Sequence, residues 1–128
     1  MVEPATHPKL SRALCGEPVS LEQGRATVRL ATTRDMVADE QGLVHGGFVF
    51  GLVDYAAMLA VNHPFVVLGS ADVRFTAPVR RGEEVVATAE RTEHKGKKHV
   101  LTVRAAVGDR EVLTGTMTAF VLDQHVLE

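Results

Sequence analysis

Leu43-Val44-His45-Gly46-Gly47-Phe48-Val49-Phe50-Gly51-Leu52-Val53-Asp54-Tyr55-Ala56-Ala57-Met58-Leu59-Ala60-Val61-Asn62 is the stretch that decides the fold. From Gly46 to Asn62 it reads as one helix: Ala56, Ala57, Met58, Leu59 and Ala60 favour helix, and Pro64 lies just past the end. Phe48, Val49, Phe50, Leu52, Val53 and Leu59 leave almost no polar face, and a helix apolar all round is a buried helix. Between Gly42 and Val61 the only formal charge is Asp54. That run is about long enough to cross a bilayer. Its glycines, His45 and central carboxylate would be costly in lipid, and its flanks read as soluble β structure, so a core helix is expected.

Outward from the helix the pattern changes to strands. Arg25 to Ala31 alternates, with Ala26, Val28 and Leu30 facing one way and Arg25, Thr27 and Arg29 the other, which is the period of a half-buried strand. Val19 to Glu22 precedes it as a short strand across a Gln23-Gly24 turn, and Thr32 to Leu43 is polar and irregular, a loop. Residues 1–16 form a leading segment, helical around Pro8 to Cys15 and ending at Gly16. After Pro64 come four strands: Val66 to Thr76, Glu84 to Glu93, Lys98 to Val107 and Val112 to Leu122. Pro78 with Arg81-Gly82, then Lys95-Gly96, then Gly108-Asp109 mark the turns between them. Leu101, Val103, Ala105 and Val107 share one face, as do Leu113, Gly115, Met117, Ala119 and Val121. Two-residue turns require antiparallel neighbours. The expected architecture is α+β, a long antiparallel sheet wrapped around one central buried helix, in a single domain over residues 1–128 with its core at about 17–123.

Composition narrows the partners. At 128 residues a second independent core would be too small to stand alone. A net charge of -2 gives no general reason to expect nucleic acid or an anionic membrane. One cysteine, Cys15, permits no internal disulfide and suits a reducing cytoplasm, and Met1 to Leu14 lacks the apolar run of a signal peptide. Cys15 has no sequence neighbour that would activate it and is read as inert.

Two features of the helix could carry chemistry. The first turn of a helix has unpaired N–H groups and a positive dipole end, so His45-Gly46-Gly47 could form a backbone oxyanion hole. The same glycines could simply permit close packing at a helix start. Asp54 is the sharper signal, because a carboxylate on a helix without a polar face must be paired, neutral or turned to a wet cleft. It serves either a reaction or a helix-to-strand hydrogen bond. His45, His94 and His99 lack metal-ligand spacing, so no metal is expected. His94 and His99 flank the basic turn Lys95-Gly96-Lys97-Lys98 and are expected in solvent. That turn, with Arg80 and Arg81, makes the positive clusters that could hold phosphates.

The helix opened by His45-Gly46-Gly47, Asp54 two turns on, and the downstream strand Ser70-Ala71-Asp72-Val73-Arg74-Phe75-Thr76-Ala77-Pro78-Val79 resemble the phenylacetyl-CoA-type branch of hotdog thioesterases. The likeness runs from about Val19 to Leu122. It implies a hotdog fold acting on a small or medium acyl coenzyme A thioester, aromatic or aliphatic. Asp54 would activate water or attack the thioester, the Gly46 amide would polarise its carbonyl with Gly47 nearby, and His45 would shape the start of the helix. No cofactor is implied, since coenzyme A belongs to the substrate, and Arg80, Arg81, Lys95, Lys97 and Lys98 become candidate contacts for its phosphates. Two positions depart from the pattern. Asp39 stands six residues before His45, where the family often has Asn or Gln to position water or substrate. Ser70 is the nearest candidate for the hydroxyl that many members place beside the carboxylate.

Two rival readings on the same fold are a non-catalytic acyl-CoA sensor and an enoyl-CoA hydratase-type enzyme. A passive pocket gains nothing from a buried acid, and the hydratase motifs are absent. Gly46 and Asp54 are eight positions apart, about 12 Å along one helix. One thioester cannot reach both on the same helix, so the site is expected to span two antiparallel helices of a C2 homodimer, with further pairing of dimers implied by the resemblance.

Overall fold

The computed structural model describes residues 2–128. In chain order the elements are α1 (Arg12–Cys15), β1 (Glu17–Glu22), β2 (Arg25–Ala31), a 3-10 turn (Arg34–Met36), α2 (Gly46–Val61), β3 (Val66–Phe75), β4 (Glu84–Lys95), β5 (Lys98–Val107) and β6 (Arg110–Val121). The six strands form one sheet in the order β1-β2-β4-β5-β6-β3, and every pairing is antiparallel. The alternation read from the sequence becomes the inner face of that sheet. Ala26, Val28 and Leu30 on β2, Val85, Ala87 and Ala89 on β4, Leu101 and Val103 on β5, and Leu113, Met117 and Ala119 on β6 are buried around α2. The helix contributes Leu52, Val53, Ala56, Ala57, Leu59 and their neighbours to the same cluster. This is the hotdog arrangement, a sheet curled around one helix.

The two ends of α2 are held differently. At its start the His45 N–H donates to the Met36 carbonyl at 2.8 Å, and Met36 is fully buried. The stretch read as a featureless loop is therefore anchored to the core and contains the 3-10 turn. At its end Asn62 closes the helix in the left-handed conformation, φ 54° and ψ 55°, a position asparagine tolerates. Its side chain accepts from the Ala5 N–H at 2.7 Å and donates to the Glu3 carbonyl at 3.0 Å, which ties the leading segment across the helix terminus. That segment is helical only over Arg12–Cys15, less than expected, because the Ser11 hydroxyl caps a single turn there by accepting from the Leu14 N–H. Cys15 is partly buried, and its thiol is pushed up by burial and then by nearby Asp54.

Register shifts interrupt four of the five strand pairings, and two of them, on β3 and β4, turn candidate side chains. On β3, Leu68 pairs with Ala119 and Ser70 with Thr118, so Gly69 is the extra residue. A Cβ there would lie 2.5 Å from the Phe120 ring. On β4, Thr92 is extra, between Arg91 opposite Leu101 and Glu93 opposite Val100. Strand β3 lies at one edge of the sheet and is held there by β6 alone. Gly115 on β6 lets the two backbones close up: a Cβ there would meet the Asp72 carbonyl oxygen at 2.2 Å and the Val73 Cα at 2.7 Å. Backbone cannot step aside cheaply, so Gly115→Ala should cost about 1–3 kcal/mol, the usual scale of overpacking. Urea unfolding of the variant beside wild type measures this, and an unchanged midpoint would contradict the close approach of β3 and β6.

Candidate functional site

The start of α2 combines both readings of the paired glycines. A Cβ on Gly46 would stand 3.3 Å from the Phe75 ring, and one on Gly47 would stand 3.0 Å from the His45 ring. The glycines therefore let two rings settle against the helix start. Among the described residues, neither the Gly46 nor the Gly47 N–H has a protein acceptor. The first backbone bond of the helix runs from the Phe48 N–H to the His45 carbonyl. His45 is exposed and makes no side-chain cap, and its ring meets Phe48 edge-on at 6.2 Å. Beside Gly46 opens a mainly apolar cleft of about 400 Å³, lined by Leu43, Val49, Phe75, Pro78, Val79 and neighbouring residues. Two free N–H groups at a dipole's positive end, with Gly46 lining an apolar cleft, are suited to a polarised carbonyl oxygen.

Asp54 lies two turns along α2, partly buried, and makes neither an ion pair nor a hydrogen bond among the described residues. The helix-to-strand hydrogen bond that would have made it structural is absent. Burial raises its carboxyl above the ordinary carboxylate range. It does not line the cleft at Gly46. The two groups read together from the sequence are thus about 12 Å apart along one helix and do not share a cavity within one chain.

The remaining candidates fall into place around these two. Asp39 is an exposed loop residue whose Oδ1 accepts from the Gln41 N–H at 3.0 Å and the Leu43 N–H at 3.2 Å. Its carboxylate folds the loop leading into α2, a task that needs an acceptor and no proton. Ser70 sits on the outer face of β3, opposite Thr118, while Ala71 and Val73 face inward. Simple alternation from Val66 and Leu68 would have turned Ser70 toward the helix, and the bulge at Gly69 reverses it. Ser70 does not join Asp54 within one chain.

The basic residues form two groups. Arg80 and Arg81 adjoin the start of α2, where the Arg81 N–H donates to the Gly42 carbonyl. Lys95 and Lys98 pair across the β4–β5 hairpin, beyond the other end of the helix, and Lys97 there binds Asp123 at 2.8 Å. A helix of 16 residues separates the two groups, about 24 Å. Against expectation, His99 is not in solvent. It is only 5% exposed, because it continues the inward face of Leu101 and Val103. Extending that alternation two residues backward would have found it. Among the described residues no cluster of three His, Cys, Asp or Glu side chains is arranged to hold a metal ion, and no helix is long and apolar enough to cross a membrane.

The raised pKa of Asp54 fixes the sign of a stability effect. A carboxyl that binds its proton more tightly when folded adds stability at pH below its unfolded pKa, and that stability is lost as pH rises through the folded pKa. Asp54→Asn removes the buried charge. It should melt at a higher temperature than wild type at pH 8, and the gain should shrink toward pH 3. Scanning calorimetry at both pH values checks this, and a lower melting temperature at pH 8 would show that Asp54 has a partner.

Comparison with known proteins agrees with this fold. The family model described as FlK, fluoroacetyl-CoA-specific thioesterase, matches residues 58–125, just over half of the chain and beginning after Asp54. The crystal structure of an uncharacterized protein, PH1136 from Pyrococcus horikoshii, is 51% identical, covers 99% of this chain and 98% of its own, and superposes with a TM-score of 0.98. A mutant of the phenylacetic acid degradation protein PaaI from Thermus thermophilus is 28% identical over 87% of this chain and 96% of its own, with a TM-score of 0.79. Methylthioribose-1-phosphate isomerase of Aquifex aeolicus is 46% identical over 92% of this chain, and transcription factor FapR of Thermoanaerobacter is 28% identical over 88%. The chain spans only 26% and 57% of the lengths of those two relatives. By fold and by family match, the chain belongs to the FlK family of hotdog thioesterases.

Proposed function

We propose that this protein hydrolyses coenzyme A thioesters of small or medium acyl groups, aromatic or aliphatic, at sites shared between two copies of the chain. The observation that carries the reading is Asp54, an unpartnered acid of raised pKa on a helix otherwise apolar. In a site completed by a second chain, the thioester oxygen points at the Gly46 N–H of one subunit, with Gly47 beside it. Asp54 of the other subunit faces the carbonyl carbon. Water attacks that carbon while Asp54 takes its proton, and the carbonyl electron pair moves onto oxygen, where the amide dipoles stabilise it. The pair returns, the C–S bond breaks, and the proton passes to the departing thiolate, leaving a carboxylic acid and free coenzyme A. Direct attack by Asp54 gives a mixed anhydride instead, which water then cleaves to the same products.

Two features support pairing of the chains. Edge strand β3 is ten residues long and largely exposed, and it ends on Phe75, which is 55% exposed. A free edge of that length invites another strand. Antiparallel packing of two α2 helices then sets the Gly46 of each beside the Asp54 of the other. The same packing brings Arg80 and Arg81 of one chain level, along the helix axis, with the Lys95–Lys98 hairpin of the other. All five cations then become available to the phosphates of one coenzyme tail. A single free cysteine and a coenzyme A substrate suit a reducing cytoplasm.

The decisive variant is Asp54→Asn, which keeps the volume and removes the base. Free thiol released from a panel of acyl-CoA substrates should fall at least ~100-fold in kcat, the low end of general-base contributions. Because the ionised acid does the work, the wild-type rate should fall with decreasing pH through a pKa above the ordinary carboxylate value. An Asp54→Asn protein that retains wild-type kcat would end the catalytic assignment. Tight acyl-CoA binding without thiol release from the wild type would instead favour the sensor reading, to which the likeness to a transcription factor gives some weight.

A further inference from the structure

Residues 2–16 are drawn across α2 and enclose a cavity that the proposed hydrolysis does not use. The Val2 N–H donates to the Leu21 carbonyl on β1 at 3.0 Å, and Asn62 holds Glu3 and Ala5 at the end of α2. The Leu10 N–H then closes a turn onto the His7 carbonyl at 3.2 Å, and α1 follows. Within that turn His7 is left-handed, φ 56°, a conformation that side chains adopt at a cost. A hydrogen bond of 2.7 Å joins Thr6 Oγ1 to His7 Nδ1, and Thr6 is buried. Between this anchored segment and the helix lies a cavity of about 440 Å³, lined by Pro4, Thr6, His7, Leu10, Arg12, Tyr55 and adjoining residues.

Tyr55 is the informative residue. It follows Asp54 on α2 and is only 5% exposed, yet its hydroxyl makes no hydrogen bond among the described residues. A buried phenol ordinarily finds a partner. No fully sealed side-chain oxygen is left without one, so the Tyr55 hydroxyl opens to a space, and the space that Tyr55 lines is this cavity. Burial pushes its phenol up, and the Arg12 guanidinium lies near enough to oppose part of that push. Arg12 itself has no ion pair among the described residues. A phenol and a guanidinium therefore converge on one space with their donors unused.

The rest of the lining selects the ligand. It holds no carboxylate, so nothing there retains a cation. Arg12 is its one charge, because burial lowers the His7 imidazole and leaves it neutral at pH 7. One cation balances one negative charge, and a phosphate dianion or a diacid would bring a second charge without a partner. Pro4, Pro8, Leu10 and the His7 ring, with its centroid 6.1 Å from that of Tyr55, add apolar surface beside the polar pair. A planar carboxylate matches the fork of a guanidinium and keeps a lone pair for a phenol.

We propose that this cavity binds a small monocarboxylate, its head held by Arg12 and the Tyr55 hydroxyl and its apolar remainder against Pro4, Pro8 and Leu10. The volume is within the range of small-ligand sites. The acid released by thioester hydrolysis and a carboxylate from any other reaction share this chemistry. The first source rests on the acyl-CoA reading above, and the second does not.

Tyr55 is the only tyrosine and the chain has no tryptophan, so intrinsic emission reports this site alone. Hexanoate, titrated into the full-length protein at pH 7.5, should quench that emission saturably as the phenol donates to the carboxylate. Methyl hexanoate, with the same chain and no charge, and inorganic phosphate should each bind about tenfold more weakly or worse. Arg12→Gln, checked for unchanged melting temperature, should weaken hexanoate about tenfold, the scale of one charge-assisted hydrogen bond. Tyr55→Phe, followed by calorimetry because the reporter is gone, should do the same. Slowing of thioester turnover by saturating hexanoate, abolished by Arg12→Gln, would identify the released acid as the ligand. Unchanged or absent turnover with binding intact would identify a carboxylate from elsewhere. Either result supports the assignment. It is overturned by absence of quenching and heat at millimolar hexanoate, by binding that both variants leave unchanged, or by the ester or phosphate binding as tightly as hexanoate.

Discussion

A helix with no polar face must be covered on every side, and the rest of this structure follows from that demand on α2. One six-stranded sheet supplies most of the cover, and its inner face is the row of small and branched side chains that the helix needs. The curl leaves β3 as a free edge, with Val67, Leu68, Val73 and Phe75 incompletely covered. A lone chain therefore stops one step short of what its own hydrophobic pattern calls for. In the dimer we propose, a second copy meeting the first along β3 and α2 would remove the exposed edge and bring two helices side by side.

The same constraint gives Asp54 its character. Burial in an apolar environment, without a cation or a hydrogen-bond donor, disfavours the charged form. A carboxylate kept in such a place weakens the fold at neutral pH and strengthens its own basicity, the exchange expected where activity and stability compete. At the start of the helix the arrangement is the converse: two amide protons lie unsatisfied, and Gly46 lines an apolar cleft. A basic carboxylate and donors in need of an oxygen are the two halves that the proposed acyl transfer requires. The fold keeps them apart in each chain.

Much of this was legible in the sequence because burial imposes a period. The alternation in Arg25–Ala31 and Lys98–Val107 and the unbroken apolar run after Gly46 each correspond to an observed element. Bulges defeat that logic. One extra residue at Gly69 turns Ser70 outward, and one at Thr92 turns Arg91 and His94 to the same side, although neither leaves a mark in hydrophobic pattern. Loops hide their chemistry for a different reason. Asp39 reads as a misplaced acid only until its two backbone donors are known, and Met36 reads as part of a polar loop although its side chain is in the core. His99 is the intermediate case: the alternation of Leu101 and Val103, carried two residues back, reaches it, but its proximity to three lysines argued for solvent, and it is buried.

The central claim is that one reaction centre takes Gly46 from one chain and Asp54 from the other, and subunit complementation tests it most directly. Asp54→Asn subunits are mixed with subunits blocked by a bulky substitution at Gly46, exchange is verified by mass, and thiol release is measured. Each parent is inactive, but one of the two sites in a mixed dimer receives both intact groups, so activity should return in proportion to the mixed species and approach half the wild-type rate per dimer. Mixed dimers of folded subunits that remain as inactive as their parents would place both groups in the same chain's site and contradict the account.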